Sequence, residues 1–229
     1  MTILSSLIDN SNALILSSFV IQLCNEDINF SKTVAEIIAL AIETTRRKNA
    51  ENQIIYKNEI LTAIANVTSN LLIHKNKDEI FDVSIEQIGK VLKVDRLYYF
   101  ENDIKTNLIS QRFEWVSETD LAEIDNPIFQ NIPHEEFADF MQIILNKKPY
   151  INLTKNVPES NFKDILIDQN IVSILIIPLF DKDTFLGFIG FDDCKTERIW
   201  TDEEINILLM LSNNISSTII RINNEKAIA

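Results

Sequence analysis

Glycine is nearly missing from this chain: three in 229 residues, and none before Gly89. Phosphate-cradling loops need glycine at a turn that opens a helix. Gly187 and Gly190 instead sit inside "TFLGFIGFDD" (184–193), a strand pattern running into two aspartates that would repel phosphate. A phosphate loop is therefore excluded. Cysteine is as scarce, with Cys24 and Cys194 alone and no C-x-x-C pair, so no disulfide framework is expected and a reducing cytoplasm is the expected compartment. Cys194 has no histidine beside it, and Asp192 and Asp193 oppose a thiolate, so it reads as incidental. The two histidines, His74 near a helix end and His134 at a helix start, form no ligand motif. Asp192 and Asp193 are adjacent on a strand and point to opposite faces. No metal site is expected.

Positive charge is also in deficit. Twenty-one Lys and Arg face 34 Asp and Glu, a net charge of -13. The single basic cluster, "RRK" (46–48), lies among Glu43 and Glu51 on a helical pattern and reads as a solvated face. Nucleic acid is excluded as a partner. Long hydrophobic runs are absent too. "ALILSSFVIQL" near the N-terminus is too short and too polar to span a bilayer, and no basic segment precedes it, so neither a signal peptide nor membrane insertion is expected.

What is present is a chain able to bury a core, 46% hydrophobic and 24% charged. Residues 1–29 carry short apolar runs whose period does not separate helix from strand, and they are assigned to helix. From Phe30 to about Leu72 the pattern is helical, with Ser31 as a candidate cap. Val34, Ile37, Ile38, Ala41 and Ile42 share a face, "ETTRRKNAENQ" (43–53) is polar, and the stripe resumes with Ile54, Leu61, Ile64, Val67 and Leu71. So long a helix needs a partner to cover it. A second helix starts at Lys77 or Asp78.

The period then changes to two. "RLYYFEND" (96–103) and "LISQRFEWVS" (108–117) read as a hairpin. "PHEEFADFMQIILNKK" (133–148) opens a helix on proline, "YINL" (150–153) is a short strand, and "ESNFKDILIDQN" (159–170) is a helix capped by Ser160. "IVSILIIPLF" (171–180) is a strand buried on both faces, followed by "TFLGFIGFDD". Strict alternation puts Phe185, Gly187, Ile189 and Phe191 on one face of that strand and Leu186, Phe188 and Gly190 on the other. A terminal helix follows from Thr201, which with Glu204 makes a capping box. Phe113 and Trp115 share a strand face, and Phe129, Phe137 and Phe140 lie in the irregular segment beyond. These aromatics either line a small-molecule pocket or pack a helix–sheet core.

The order of these elements resembles a GAF domain over about residues 58–222. The most specific stretch is "IPLFDKDTFLGFIGFDDCKTERIWTDEEINILLMLS", extended upstream by "IVSILIIPLF", "NIPHEEFADFM" and "QRFEWVSE". It resembles most the GAF domains that precede histidine kinase or diguanylate cyclase modules of bacterial sensory proteins. The resemblance implies an α/β (α+β) fold. A central, mainly antiparallel sheet of five to six strands would carry the first and last helices on one face and a ligand pocket on the other. Residues 1–57 would form an N-terminal helical segment and connector, 58–222 the domain, and 223–229 a tail.

The resemblance further implies a non-enzymatic, cytoplasmic sensory module. It would form a homodimer through its terminal helices and bind an unidentified small molecule to regulate a histidine kinase or diguanylate cyclase output. Phe113, Trp115, Phe137, Phe140 and Asp192 are the expected ligand-binding residues; no catalytic residue and no metal ligand is expected, and the sequence names no cofactor. The signature of cyclic-nucleotide-binding relatives is not evident, and no cysteine occurs between residues 25 and 193 to hold a bilin. The alternatives are a ligand-free dimerisation module and an enzyme resembling methionine sulfoxide reductase that depends on Cys194.

Overall fold

The computed structural model describes residues 2–73, 77–118 and 121–228; His74 lies outside them. The chain divides into two compact units, residues 1–56 and 57–229. Helix α1 (Thr2–Ile73) supplies all of the first unit. The expected start at Ser31 is not a helix start, because no glycine or proline interrupts the chain before Gly89. Polar side chains are satisfied within the helix: the hydroxyls of Thr33, Thr44 and Thr45 donate to the carbonyls of Asn29, Leu40 and Ala41, four residues back. Arg47 pairs with Glu51 at 2.9 Å. Along this unit Ile28, Phe30, Ile37, Ile38, Leu40 and Ile54 are exposed.

The second unit is built on a six-stranded antiparallel sheet. Its strands are β1 (Arg96–Asp103), β2 (Leu108–Val116), β3 (Ile132–Pro133), β4 (Tyr150–Leu153), β5 (Ser173–Asp181) and β6 (Thr184–Asp193). Their spatial order is β3-β2-β1-β6-β5-β4. The hairpin, the short strand and the two long apolar strands expected from the sequence are all present. Pro178 lies on β5 beyond the last residue paired with β4, where a missing N–H costs no ladder bond.

One face of the sheet is covered by helices: the last turns of α1, α2 (Lys77–Leu92) and α5 (Asp202–Ile228). Leu71, Phe81, Ile85 and Ile88 meet Leu97, Ile189 and Phe191 of the sheet and Leu211 and Ile215 of α5. Three contacts join α1 to α5 at nearly constant offset: Lys57 to Glu203, Asn214 to Thr68, and Arg221 to the Leu71 carbonyl. The two helices therefore run side by side in parallel. Thr201 and Glu204 form the expected reciprocal cap: the Thr201 N–H donates to the Glu204 carboxylate (2.9 Å) and the Glu204 N–H to the Thr201 hydroxyl (3.2 Å). Among the described residues, only 202–225 are long and apolar enough to cross a membrane by composition, and half of that stretch is buried inside the protein.

The other face is covered by short elements: 3₁₀ turns at Pro127–Phe129 and His134–Phe137, then α3 (Ala138–Leu145) and α4 (Asn161–Asp168). The helix expected over 133–148 is thus shorter, entered through a 3₁₀ turn. Ser160 caps α4 through the Lys163 N–H, at 3.3 Å. Here Phe137, Phe140, Phe162 and Phe188 pack with Ile144, Leu166 and Ile176 into a second core.

Two bulges break the expected alternation. On β2, Tyr99 pairs with Phe113 but Phe100 pairs with Gln111, so Arg112 is the extra residue. On β6, Leu179 pairs with Gly187 but Phe180 pairs with Phe185, so Leu186 is extra. Phe185 consequently joins Phe188 on the α3–α4 face. Gly187 adopts φ +138° in this bulge, and a Cβ there would lie 2.0 Å from the Phe100 carbonyl oxygen.

Candidate functional site

On β1, alternation turns Arg96, Tyr98 and Phe100 toward the α3–α4 face and Leu97 and Tyr99 toward the helices. Tyr98 pairs with Glu114 and Arg96 with Asp192, so these carboxylates lie on the α3–α4 face too. The bulge at Arg112 turns Gln111 the same way. The result is a cavity of about 40 Å³ with a polar end of Arg96, Gln111, Glu114, Glu123 and Gln169. Its walls are aromatic, from Tyr98, Phe100, Phe129, Phe137, Phe140, Phe162 and Phe188, and the aliphatic part comes from α4 and β5.

The polar end belongs to a buried charge cluster that continues behind the lining to Asp192. Exposure is 3% for Arg96, 2% for the Glu114 side chain and 0% for Asp192. Arg96 donates through Nη1 to the Gln169 amide oxygen at the end of α4. Glu114 is held through one oxygen, which accepts from the N–H groups of Glu123 (2.7 Å) and Ile124 (2.9 Å). Asp192 accepts from the Tyr98 hydroxyl at 3.1 Å through Oδ1. The remaining approaches are too long for hydrogen bonds: Arg96 Nε to Glu114 Oε1 is 3.7 Å, and Arg96 Nη1 to Asp192 Oδ2 is 3.8 Å. Arg96 Nε, Glu114 Oε1 and Asp192 Oδ2 thus have no hydrogen-bond partner within the protein. Unmet buried polar atoms are rare in folded proteins and ask for an explanation.

Titration reflects this burial. Desolvation pushes the Asp192 carboxyl up to about 7, against the opposing pull of Arg96 and the Tyr98 hydroxyl. Burial likewise raises Glu114, though the backbone bond from Glu123 and the charge of Arg96 draw it back. Tyr98 is pushed well above the usual phenol range by burial first and Asp192 next.

Of the residues expected to bind a ligand, Phe137 and Phe140 line this cavity, and Asp192 lies on the same face but buried behind the lining. Phe113 and Trp115 are not on this face. Phe113 pairs with Tyr99 and stacks on Phe81 of α2, with ring centroids 4.8 Å apart. Trp115 lies against α2, where a Cβ on Gly89 would fall 2.1 Å from its ring. They share the face opposite the cavity because neighbouring Glu114 takes the cavity side. Arg96, Tyr98, Glu114 and Gln169 escaped sequence reasoning. The available signal was charge at the inward positions of two otherwise aromatic strands.

Asp193, on the opposite parity to Asp192, caps the following turn by accepting from the Lys195 and Thr196 N–H groups (3.1 and 2.9 Å). Among the described residues no cluster of His, Cys, Asp or Glu could hold a metal ion. Partial burial and then the charge of Asp192 push the Cys194 thiol up to about 11, so it is protonated at neutral pH, the reverse of an activated nucleophile. His134 donates from Nε2 to Asn102 (2.9 Å), whose amide donates to the Phe185 carbonyl (3.1 Å), tying the 134–137 turn to the sheet.

A six-stranded antiparallel sheet with terminal helices on one face and a capped, aromatic-walled cavity on the other defines a layered α+β domain. The chain belongs to the GAF domain family, whose model matches residues 76–219. It is 37% identical over 191 residues to the methanogenesis regulatory histidine kinase FilI of Methanothrix harundinacea (strain 6Ac), across 82% of this chain. It spans 21% of that relative's length. In fold it is similar to the phycocyanobilin-bound GAF domain of a cyanobacterial phytochrome (TM-score 0.62, 13% identity, 72% of this chain and 96% of that one). It is also similar to the GAF domain of a phosphoenolpyruvate-protein phosphotransferase from Coxiella burnetii (TM-score 0.61, 12% identity, 75% and 98%).

Proposed function

We propose that this chain is a non-enzymatic, cytoplasmic sensory module that binds a small molecule between its sheet and α3–α4. Its occupancy would regulate a histidine kinase output. The observation that carries this reading is the buried Arg96–Glu114–Asp192 cluster at and behind the end of an aromatic cavity, with three atoms that have no hydrogen-bond partner and meet only in long ion pairs of 3.7 and 3.8 Å. A site that only packed a core would lose stability by keeping them. The name of the FilI relative supports a kinase output, and the phytochrome domain supports occupancy of this kind of fold by a ligand. The module would comprise residues 58–222, joined through the connector 1–57 to a second copy along α1 and α5. The exposed apolar residues of α1 support that pairing. A ligand shifts such a dimer only by binding its two states unequally.

A thermal-shift screen of metabolite pools and cell extracts tests the reading. A binder raises the melting temperature, and Phe140→Ala, which opens the cavity wall, removes the rise. A ligand-free dimerisation module is the second reading, favoured by a cavity of only about 40 Å³. It gains if no pool or extract shifts the melting temperature.

A further inference from the structure

The cavity's polar end has an unequal inventory. Two carboxylates, Glu114 and Glu123, line the cavity with one guanidinium, Arg96, and a third, Asp192, is buried behind it, 3.8 Å from Arg96 Nη1. The atoms left without partners are one donor, Arg96 Nε, and two acceptors, Glu114 Oε1 and Asp192 Oδ2. Each carboxylate is anchored through its other oxygen, Glu114 by the N–H groups of Glu123 and Ile124 and Asp192 by Tyr98. The unpartnered oxygens therefore cannot turn away to find donors elsewhere without breaking those bonds. Gln169 holds Arg96 Nη1 from the α4 side, so the guanidinium is fixed as well.

An entering head group has to supply donors. A carboxylate, phosphate or sulfate would bring more acceptors and like charge to two acceptors already in excess, and burial makes that repulsion costly. A cationic head brings N–H donors to Glu114 Oε1 and offsets the excess of carboxylates over Arg96. The rest of the cavity is apolar and aromatic, with Tyr98 on one wall, and aromatic faces favour cations.

Resting on the reading of this cavity as a ligand site, we propose that it takes a small organic cation, an ammonium or amidinium head on an apolar body. The head sits at Glu114 Oε1, Asp192 adds its charge from behind Arg96, outside the lining, and the body lies against Phe137, Phe140 and Phe188. The charged or titratable groups facing Asp192 are Arg96 and Tyr98 on β1, Glu114 on β2 and Cys194 just beyond β6; its β5 neighbour Ile174 and the α4 side, through Gln169, are uncharged. Because the Asp192 carboxyl ionises at about 7, affinity for a cation rises with pH through neutrality. A neutral head of the same shape gains nothing from that ionisation.

The experiment uses three isosteric probes that differ in charge, acetamidinium, acetamide and acetate, each titrated at millimolar concentration into the full chain and followed by NMR shifts of the protein. Acetamidinium is expected to bind at least tenfold more tightly than acetamide at pH 8, with acetate producing no saturable shift. That preference should shrink severalfold at pH 6. Asp192→Asn and Glu114→Gln should each cut the preference severalfold, and two independent variants guard against one that fails to fold. Equal or tighter binding of acetamide or acetate overturns the cation while leaving a ligand site in place. Binding by none of the three also overturns it, and the extract screen then decides separately whether the cavity binds anything.

Discussion

The ring of Tyr98 occupies the space where a Cβ on Gly190 would stand, 2.1 Å from its ring carbons. The two residues are paired across β1 and β6. The absent side chain lets the ring lie flat on the sheet and bring its hydroxyl to Asp192, 3.1 Å away. The close approach to the sheet at Gly190 is therefore made by a tyrosine from the neighbouring strand. Gly190→Ala should displace that ring, break its bond to Asp192, and cost about 1–3 kcal/mol as overpacking of a tight core. Urea denaturation of the variant measures the loss.

Gly187 is blocked differently. Its φ of +138° disfavours any L side chain, and the obstacle is the Phe100 carbonyl, which cannot rotate away. Gly187→Ala should therefore destabilise more than Gly190→Ala. Paired denaturation midpoints check the order.

Stability should depend on pH through Asp192. In the unfolded chain this carboxyl titrates near 3.8, and in the fold at about 7. Between those values the native state keeps a proton that the unfolded state has lost. Stability accordingly falls as pH rises across that window, by about 1.4 kcal/mol per pH unit for this group alone, and the contribution is level on either side. Glu114, also raised, adds a slope of the same sign. Asp192→Asn mimics the protonated form and should match the wild type near pH 4 while exceeding its stability at pH 8. Melting temperatures of both proteins across this range decide it.

Arg198 clasps two helix ends. It donates to the Leu92 carbonyl at the end of α2 (2.6 Å) and to Glu204 in the first turn of α5 (2.9 Å), with its guanidinium 3.8 Å over the Trp200 ring. Arg198→Ala should cost about 2 kcal/mol, in the range for hydrogen bonds to charged groups. Arg198→Lys should recover little, because an ammonium can neither fork nor stack in the same way. Thermal denaturation of both variants tests the clasp.

The apolar side chains exposed along α1 call for a covering partner. Sedimentation of the full chain should show a dimer, and a chain beginning at Asn58 should dissociate more readily. Equal association of the two would remove residues 1–57 from the interface.

Much of the fold was legible because its signals are local and redundant. The Thr201–Glu204 box, the Ser160 cap and the period-two runs over β1 and β2 each state one element through short-range chemistry. Ser31 before an apolar stripe resembles a cap and points to a helix start; nothing nearby breaks the helix, so it continues. The site was less legible. Parity along a strand is a long-range property, and one extra residue reverses it. Arg112 on β2 and Leu186 on β6 are such residues, and neither has a side chain that announces a bulge. Phe113 and Trp115 looked like pocket aromatics by composition, yet Glu114 between them takes the cavity side because it pairs with Tyr98.

That alternation has a consequence for how the domain could report. Arg96 and Tyr98 belong to the cavity and Leu97 to the helical layer, so the two faces are one peptide unit apart, about 3.8 Å from Cα to Cα. A single backbone step separates the guanidinium side of β1 from the packing against α2 and α5. The sheet is a single-layer partition whose strands are shared by both cores.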